Sequence, residues 1–233
     1  MEAVLLLRII TFVLAFLTCV SPLVTGVIPA LKKNSLLAKM ISSLLFLLTG
    51  IFALLSVGTS LYSVLIVVGL AFGVIGDFLL DYKNSAHFFL GVLAFAMNHF
   101  FYIYSYLFVC RPAEEFDYKF NALLIAGISV MSVLILRINK IHFRKGERRI
   151  IPYCFVLLVS FILVINRGIQ AILAGNIALG VSLACAASLF IISDSALAMV
   201  KFGDPPVKNI GKIINPFYFC AQAMFALSIL FHG

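Results

Sequence analysis

The sequence predicts an all-α, polytopic membrane protein with about eight spans, and three observations support this fold class. Of the 233 residues, 64% are hydrophobic and 11% are charged, whereas soluble domains carry about 25% charged residues. The mean hydropathy is +1.17. Apolar stretches near the ~20 residues that cross a bilayer follow one another along the whole chain. We therefore expect a single transmembrane domain over residues 1–233.

The predicted spans follow the apolar stretches in order. The first stretch lacks the basic n-region and cleavage site of a signal peptide, so we expect it to be retained as a helix. The stretch from Ile150 to Val200 is about twice as long as one span, which predicts two helices with a turn near Gly175 and Asn176. The approximate limits of the eight spans are 3–22, 37–56, 61–82, 87–109, 120–138, 150–170, 176–200 and 211–231.

The net charge of +8 indicates membrane topology rather than a nucleic-acid partner. Most lysines and arginines lie in the loops after the odd-numbered spans, and the densest cluster runs from Arg144 to Arg149. The positive-inside rule then predicts that these loops are cytosolic and that both termini are not. The expected membrane is the bacterial inner membrane or, in a eukaryote, the endoplasmic reticulum.

Two aspartates interrupt predicted spans and are the strongest candidates for functional residues. Asp77 lies in the third span and Asp194 in the seventh, where an acid costs roughly 2.5–3.5 kcal/mol on insertion scales. No buried lysine or arginine is predicted nearby to neutralise them. His99 lies deep in the fourth span. We interpret these three residues as the start of an active site, although His99 could equally form a structural hydrogen bond between helices.

Other polar residues fall at a similar predicted depth. Counted along each span at 1.5 Å per residue, the polar residues occupy a slab about 10 Å thick in the cytosolic half of the membrane. This predicts a shared polar cavity. Gly69 and Gly73 precede Asp77 at four-residue steps, a spacing that also suits simple helix packing. The further polar members of these faces are Asp81, Tyr102, Tyr106, Asn215, Tyr218 and Gln222.

Several hydrolytic motifs and cofactor sites are missing from the sequence. It contains no G-x-S-x-G and no H-E-x-x-H motif, and only one of its histidines is deep in a span. The cysteines are scattered and form no C-x-x-C pair, so they predict neither a disulfide framework nor a zinc site. We expect no metal and no cofactor. The cysteines are Cys19, Cys110, Cys154, Cys185 and Cys220.

Four sequence blocks together resemble the YhhN-like lysoplasmalogenase family. They are G-D-F-L-L (76–80), F-x-x-G-x-x-x-F-x-x-x-H-x-x-Y (88–102), F-I-I-S-D (190–194) and Y-x-x-x-Q (218–222). Lys39 resembles a lysine at the same position in that family. The pairs at 81–82 and 215–216 depart from the family's pattern. The resemblance implies eight helices around a polar cavity and hydrolysis of the vinyl ether bond of lysoplasmalogens, lysophospholipids within the bilayer.

Vinyl ether hydrolysis needs a carboxylic acid that protonates carbon and a carboxylate that activates water, as in glycoside hydrolysis. We expect Asp77 and Asp194 to form this pair in either order, with His99 orienting one of them or relaying a proton. A proton-coupled transporter or lipid scramblase is the alternative, because transporters also use intramembrane acids. A receptor or scaffold would leave the acids unexplained. The residues expected to contact the substrate are Lys39, Asp81, Tyr102, Asn215, Tyr218 and Gln222.

Overall fold

The computed structural model describes residues 2–29, 31, 34–82, 84–109, 126, 147–203 and 210–232. They form seven long α-helices, and no β-strand occurs in this part of the chain. A π-helical turn, Ser105–Val109, continues the fourth helix, and a 3₁₀ turn, Glu147–Ile150, precedes the fifth. The helices are α1 (Glu2–Val27), α2 (Ser35–Val57), α3 (Leu61–Leu80), α4 (Ser85–Tyr104), α5 (Ile151–Leu173), α6 (Ile177–Phe202) and α7 (Gly211–His232).

Polar residues in the loops begin several of these helices. Asn34, Asn84 and Asn176 precede α2, α4 and α6, and the side chain of each accepts a hydrogen bond from a backbone N–H in the first turn. Such caps satisfy donors that the helix itself leaves free. Gly175, with φ of 87°, makes the turn between α5 and α6. The predicted division of residues 150–200 into two helices is therefore confirmed.

The helices pack as a ring with α1 on its outside. Each helix from α2 to α6 contacts the helix that follows it among those described, and α7 closes the ring by packing on both α6 and α2. α7 also contacts α3, so it lies nearest the centre of the bundle. α1 occupies the groove between α2 and α7. This arrangement directs residues from α2, α3, α4, α6 and α7 towards one interior.

The two ends of the bundle differ in their side chains. One end, which we call the Lys39 end, carries an ion pair between Lys39 and Asp81, at the start of α2 and the end of α3. At the opposite end, the rings of Tyr62 and His232 stack with their centroids 3.9 Å apart. The first turns of α1 and the last turns of α7 lie at this opposite end, where Phe12 contacts Phe231.

The fourth and fifth helices run in the same direction. Near the start of α4, Phe88 lies beneath the Lys201 ammonium group at the Lys39 end. Near the start of α5, Tyr153 contacts α6 in the same half of the bundle. Val109 and Glu147 therefore lie at opposite ends. Apart from residue 126, the predicted fifth span, 120–138, lies outside the described residues, as do Lys140, Arg144 and Lys145, so the count of eight spans stays a prediction.

By length and composition, all seven described helices could cross a membrane. Many large apolar side chains point outwards, as with Phe16 and Leu173, which are 67% and 82% exposed. An exposed apolar surface of this kind suits lipid rather than water as its surroundings. The structure thus supports an integral membrane protein. The cytosolic placement of the Lys39 end, the position of the termini and the identity of the membrane stay predictions.

Candidate active site

The Asp77 carboxyl group is held by hydroxyl groups from two other helices. Ser43 Oγ on α2 lies 2.6 Å from Asp77 Oδ2, and Tyr218 Oη on α7 donates to the same oxygen over 2.9 Å. Asp77 Oδ1 has no hydrogen-bond partner among the described residues. One carboxyl oxygen is therefore anchored by two hydroxyl groups, and the other is not.

The hydrogen bonds around Asp77 continue towards the middle of the bundle. Gln222 Nε2 donates to Tyr218 Oη over 3.3 Å, and Tyr102 Oη donates to Gln222 Oε1 over 2.8 Å. All of these side chains are buried, with Tyr102 and Gln222 fully enclosed. We call Ser43, Asp77, Tyr218, Gln222 and Tyr102 the Asp77 network. Because each member restrains the next, the network fixes the position of the carboxyl group.

Asp194 belongs to a second, smaller polar group. Tyr153 Oη on α5 donates a hydrogen bond to Asp194 Oδ2, while Asp194 Oδ1 has no hydrogen-bond partner in the described part of the chain. Asp77 lies within electrostatic range of both Asp194 and Lys39. Lys39 is the cation that interacts with Asp77, and the pairing of the two aspartates in one site stays a prediction.

His99 is not hydrogen-bonded to either aspartate. Its Nδ1 lies 3.0 Å from Ser160 Oγ on α5, and its ring packs edge-on against Phe190 with centroids 4.5 Å apart. Nε2 is buried and has no hydrogen-bond partner among the described residues. The Tyr153 ring, which bonds Asp194, lies 6.1 Å from the histidine ring. The structure therefore puts His99 on the Asp194 side of the site, bridging α4 and α5.

A small cavity opens beside Lys39. Its volume is about 160 Å³, and its walls come from α1, the chain after α1, α2 and α7. Lys39 Nζ lies 3.5 Å from Asp81 Oδ1, and Ser35 Oγ lies 3.3 Å from both oxygens of Asp81. This cavity lies nearer the Lys39 end than the two aspartates, and neither aspartate lines it. The polar cavity predicted around the aspartates therefore stays a prediction. The cavity beside Lys39 is lined by Pro22, Thr25, Leu31, Ser35, Ala38, Lys39, Ser42, Asn215 and Phe219.

A comparison with protein families identifies the chain. The model of the YhhN family matches residues 34–229, which include α2 to α6 and most of α7. The chain belongs to the YhhN family. No curated protein and no solved structure matches it. The family match includes both aspartates and Lys39, whereas α1 lies outside it.

The predicted site residues of this YhhN protein fall into three groups: the Asp77 network, Asp194 and His99 on either side of Tyr153, and the residues around the Lys39 cavity. Asp77, Tyr102, Tyr218 and Gln222 meet in one network, as described above. Asn215 lines the cavity at the mouth, beside Lys39, and is exposed. Among the described residues, no group of three or more histidine, cysteine or acidic side chains is arranged to hold a metal ion.

Several polar contacts had no counterpart in the sequence analysis. Ser43 and Tyr153 are the hydroxyl partners of the two aspartates, yet neither lies in a recognisable motif. In the opposite half of the bundle, Tyr62 Oη lies 2.7 Å from Ser228 Oγ. Polar groups therefore extend beyond the predicted slab. A serine hydroxyl in an apolar helix usually bonds its own backbone, so sequence alone gives no signal for such contacts.

The glycines before Asp77 bring α3 close to α4 and α7. A Cβ atom added to Gly69 would lie 2.6 Å from Tyr102 Cε1 and 3.3 Å from the backbone oxygen of Asn98. One added to Gly73 would lie 2.8 Å from Gln222 Nε2. The packing interpretation of these glycines is thus confirmed. The same close approach lets Tyr102 and Gln222 reach one another.

Gly69→Ala is expected to destabilise the protein by about 1–3 kcal/mol, the usual cost of overpacking a core. The ring of Tyr102 would have to move, and its hydrogen bond to Gln222 would be lost. Thermal unfolding in detergent measures the effect. Gly211→Ala is the matched control, because its Cβ would meet Val200 at an ordinary 3.6 Å. Equal melting temperatures for the two variants would contradict the close packing.

Proposed function

We propose that the chain is a lysoplasmalogenase, which hydrolyses the vinyl ether bond of a lysophospholipid to a fatty aldehyde and a glycerophosphodiester. Its membership of the YhhN family supports this class of activity. The observation that carries the proposal is that Asp77 and Asp194, two acids within apolar helices, each have one carboxyl oxygen held by a hydroxyl donor. Two carboxyl groups of this kind suit acid–base chemistry on an ether.

The depth of the residues suits a lysophospholipid. Lys39 lies beside the cavity, four positions before Ser43 on α2. Asp81, its ion-pair partner, lies four positions after Asp77 on α3. The charged pair and the carboxyl group are therefore separated by about one helical turn, or ~5.4 Å along the bundle. A phosphate held at Lys39 leaves the glycerol backbone to span this turn. The vinyl ether then reaches the level of Asp77.

The reaction begins with a proton transfer from one carboxylic acid to the β-carbon of the vinyl ether. A new C–H bond forms, and the α-carbon and ether oxygen share the positive charge of an oxocarbenium ion. Water adds to the α-carbon and gives its proton to the second carboxylate, which yields a hemiacetal. The hemiacetal then breaks its bond to the glycerol oxygen, which takes that proton back. The remaining hydroxyl proton returns to the first aspartate, so both carboxyl groups are restored.

We assign the proton donor to Asp77. Its Oδ2 is anchored by Ser43 and Tyr218, so the negative charge left by proton transfer is stabilised as it forms. Lys39 adds a favourable charge within electrostatic range. Asp77 Oδ1 has no hydrogen-bond partner in the described residues, so a proton on this oxygen is not held by a protein acceptor. Such a proton suits transfer to carbon, because a carbon atom is a much weaker proton acceptor than an oxygen or nitrogen atom.

Asp194 is then the carboxylate that receives the proton from water. Tyr153 holds its Oδ2, and Oδ1 is available to a water molecule. His99 lies on the same side with a buried Nε2 that lacks a hydrogen-bond partner among the described residues. Buried polar atoms of this kind are commonly satisfied by an ordered water. In the proposed reaction, His99 Nε2 and Asp194 hold the attacking water between them.

Aldehyde release tests the proposal directly. The purified chain, in detergent with a chelator, is given 1-alkenyl-lysophosphoethanolamine, and the saturated 1-alkyl lipid serves as the control substrate. We expect aldehyde from the first lipid and none from the second. No aldehyde from either, together with proton or lipid flux in reconstituted vesicles, would instead support the transporter or scramblase alternative.

Lys39→Ala is expected to raise KM about tenfold, since a charge-assisted hydrogen bond to phosphate contributes about 1.5–3 kcal/mol. The change in kcat should be smaller, because the phosphate does not take part in the reaction. Steady-state kinetics separate the two constants. Lys212→Ala removes an exposed lysine at the same end of the bundle and is the matched control. A loss confined to kcat would contradict a role in headgroup binding.

A further inference from the structure

The ion pair at the mouth offers both signs of charge to one ligand. Lys39 Nζ and Asp81 Oδ1 are 3.5 Å apart, and their side chains are 26% and 20% exposed. The pair borders the cavity through Lys39 and Ser35, which both line it and both contact Asp81. The cavity, at about 160 Å³, is smaller than the ~300–1,000 Å³ of typical ligand pockets. It suits a headgroup better than a whole lipid.

A phosphate bound at Lys39 would draw the lysine away from Asp81. The carboxylate would then be partly buried without a cation, a state that costs free energy unless another positive group replaces the lysine. A ligand whose ammonium group is joined to its phosphate by a short chain supplies this second positive charge. Ser35 Oγ lies 3.3 Å from both oxygens of the Asp81 carboxylate and can accept a further hydrogen bond from the ammonium group.

We propose that Asp81 and Ser35 form an ammonium subsite that selects a phosphoethanolamine headgroup over a phosphocholine headgroup. This proposal rests on the proposed function and specifies the substrate of the same site. A primary ammonium has three N–H donors for the oxygens of Asp81 and Ser35, whereas a trimethylammonium has none. Quaternary ammonium groups are instead recognised by several aromatic faces. In the described part of the chain, one aromatic residue, Phe219, lines the cavity.

Part of the wall of this subsite lies outside the family match. Pro22 and Thr25 come from α1, which lies outside the family match. Ser21 Oγ on α1 donates a hydrogen bond to Ser42 Oγ on α2 over 2.7 Å. This bond joins α1 to α2 next to the cavity. Asp81 directly follows the G-D-F-L-L block.

Binding without catalysis tests the subsite. Isothermal titration of the full chain in detergent would compare the ethanolamine and choline forms of two probes: the soluble glycerophosphodiester and the saturated 1-alkyl lysophospholipid. We expect the ethanolamine form to bind about tenfold more tightly, the effect of one charge-assisted hydrogen bond. A preference in the lipid pair alone would identify a membrane lipid as the ligand. A preference in both pairs would show that the headgroup suffices.

Variants at the mouth make the test specific. Asp81→Asn should reduce the preference to about twofold or less, and Ser35→Ala should reduce it partly without removing the ion pair. Lys39→Ala should weaken both forms equally and keep the preference, since it acts on the phosphate. Glu2→Gln, an equal charge change at the opposite end, is the control. Equal binding of both forms by the parent, or an unchanged preference in Asp81→Asn, would overturn the subsite. Binding with this preference but no aldehyde release would instead refute only the proposed reaction.

Discussion

Asp77→Asn is expected to lower kcat for aldehyde release by roughly 10²–10⁴-fold, the usual contribution of a general acid. The asparagine has nearly the same shape, and its oxygen can still accept hydrogen bonds from Ser43 and Tyr218. What it lacks is the acidic proton. Release of aldehyde by the purified variant, measured at saturating lipid, gives the size of the loss.

The pH profile of the residual activity identifies the role of Asp77. A general acid must be protonated, so its ionisation causes the fall in activity on the alkaline side of the profile. Asp77→Asn should therefore remove the alkaline fall and keep the acidic one. Glu2→Gln should match the parent, since this exposed side chain lies in the first turn of α1 at the opposite end. Loss of the acidic fall instead would reverse the assignment of acid and base.

Asp194→Ala is expected to cause a comparable loss, roughly 10²–10⁴-fold in kcat, because no carboxylate remains to accept the proton from water. The shorter side chain also leaves space next to Tyr153. Added formate should therefore enter and restore part of the activity in a saturable way. Tyr153→Phe should lower kcat less, about tenfold, because the carboxylate remains but loses the hydroxyl that orients it.

Rescue by formate separates the two aspartates. At neutral pH formate is ionised, so it can replace a base but not an acid. Asp77→Ala should thus stay inactive at formate concentrations that rescue Asp194→Ala. Melting temperatures of both variants, compared with the parent, establish that the chain is folded. Rescue of Asp77→Ala alone would show that the proton donor is Asp194.

The membrane-spanning fold class and many residues of the Asp77 network could be predicted from the sequence. Both predictions depend on local composition and on the spacing of residues along one helix. Apolar length alone indicated the helices, and Gly175 with Asn176 marked a turn that interrupts an otherwise continuous apolar run. Small residues at four-residue steps predicted the face of α3 that meets Tyr102 and Gln222. These signals lie within one helix, so a single sequence contains them.

The partners of the aspartates could not be predicted because they depend on how separate helices meet. Ser43 is one of two adjacent serines on α2, and only the packing of α2 against α3 distinguishes it from its neighbour. Tyr153 reaches Asp194 because α5 and α6 lie side by side. His99 has no direct hydrogen bond to either aspartate for the same reason, since α5 offers Ser160 to the ring instead.

The neighbouring position of α1 and α7 has a practical consequence for studying the protein. The first turns of α1 and the last turns of α7 share the end of the bundle opposite Lys39, where Phe12 meets Phe231 with ring centroids 6.3 Å apart. Reporter enzymes fused before Glu2 or after His232 would therefore sample the same compartment. A fluorescent label or affinity tag at either point would leave the cavity open to lipid.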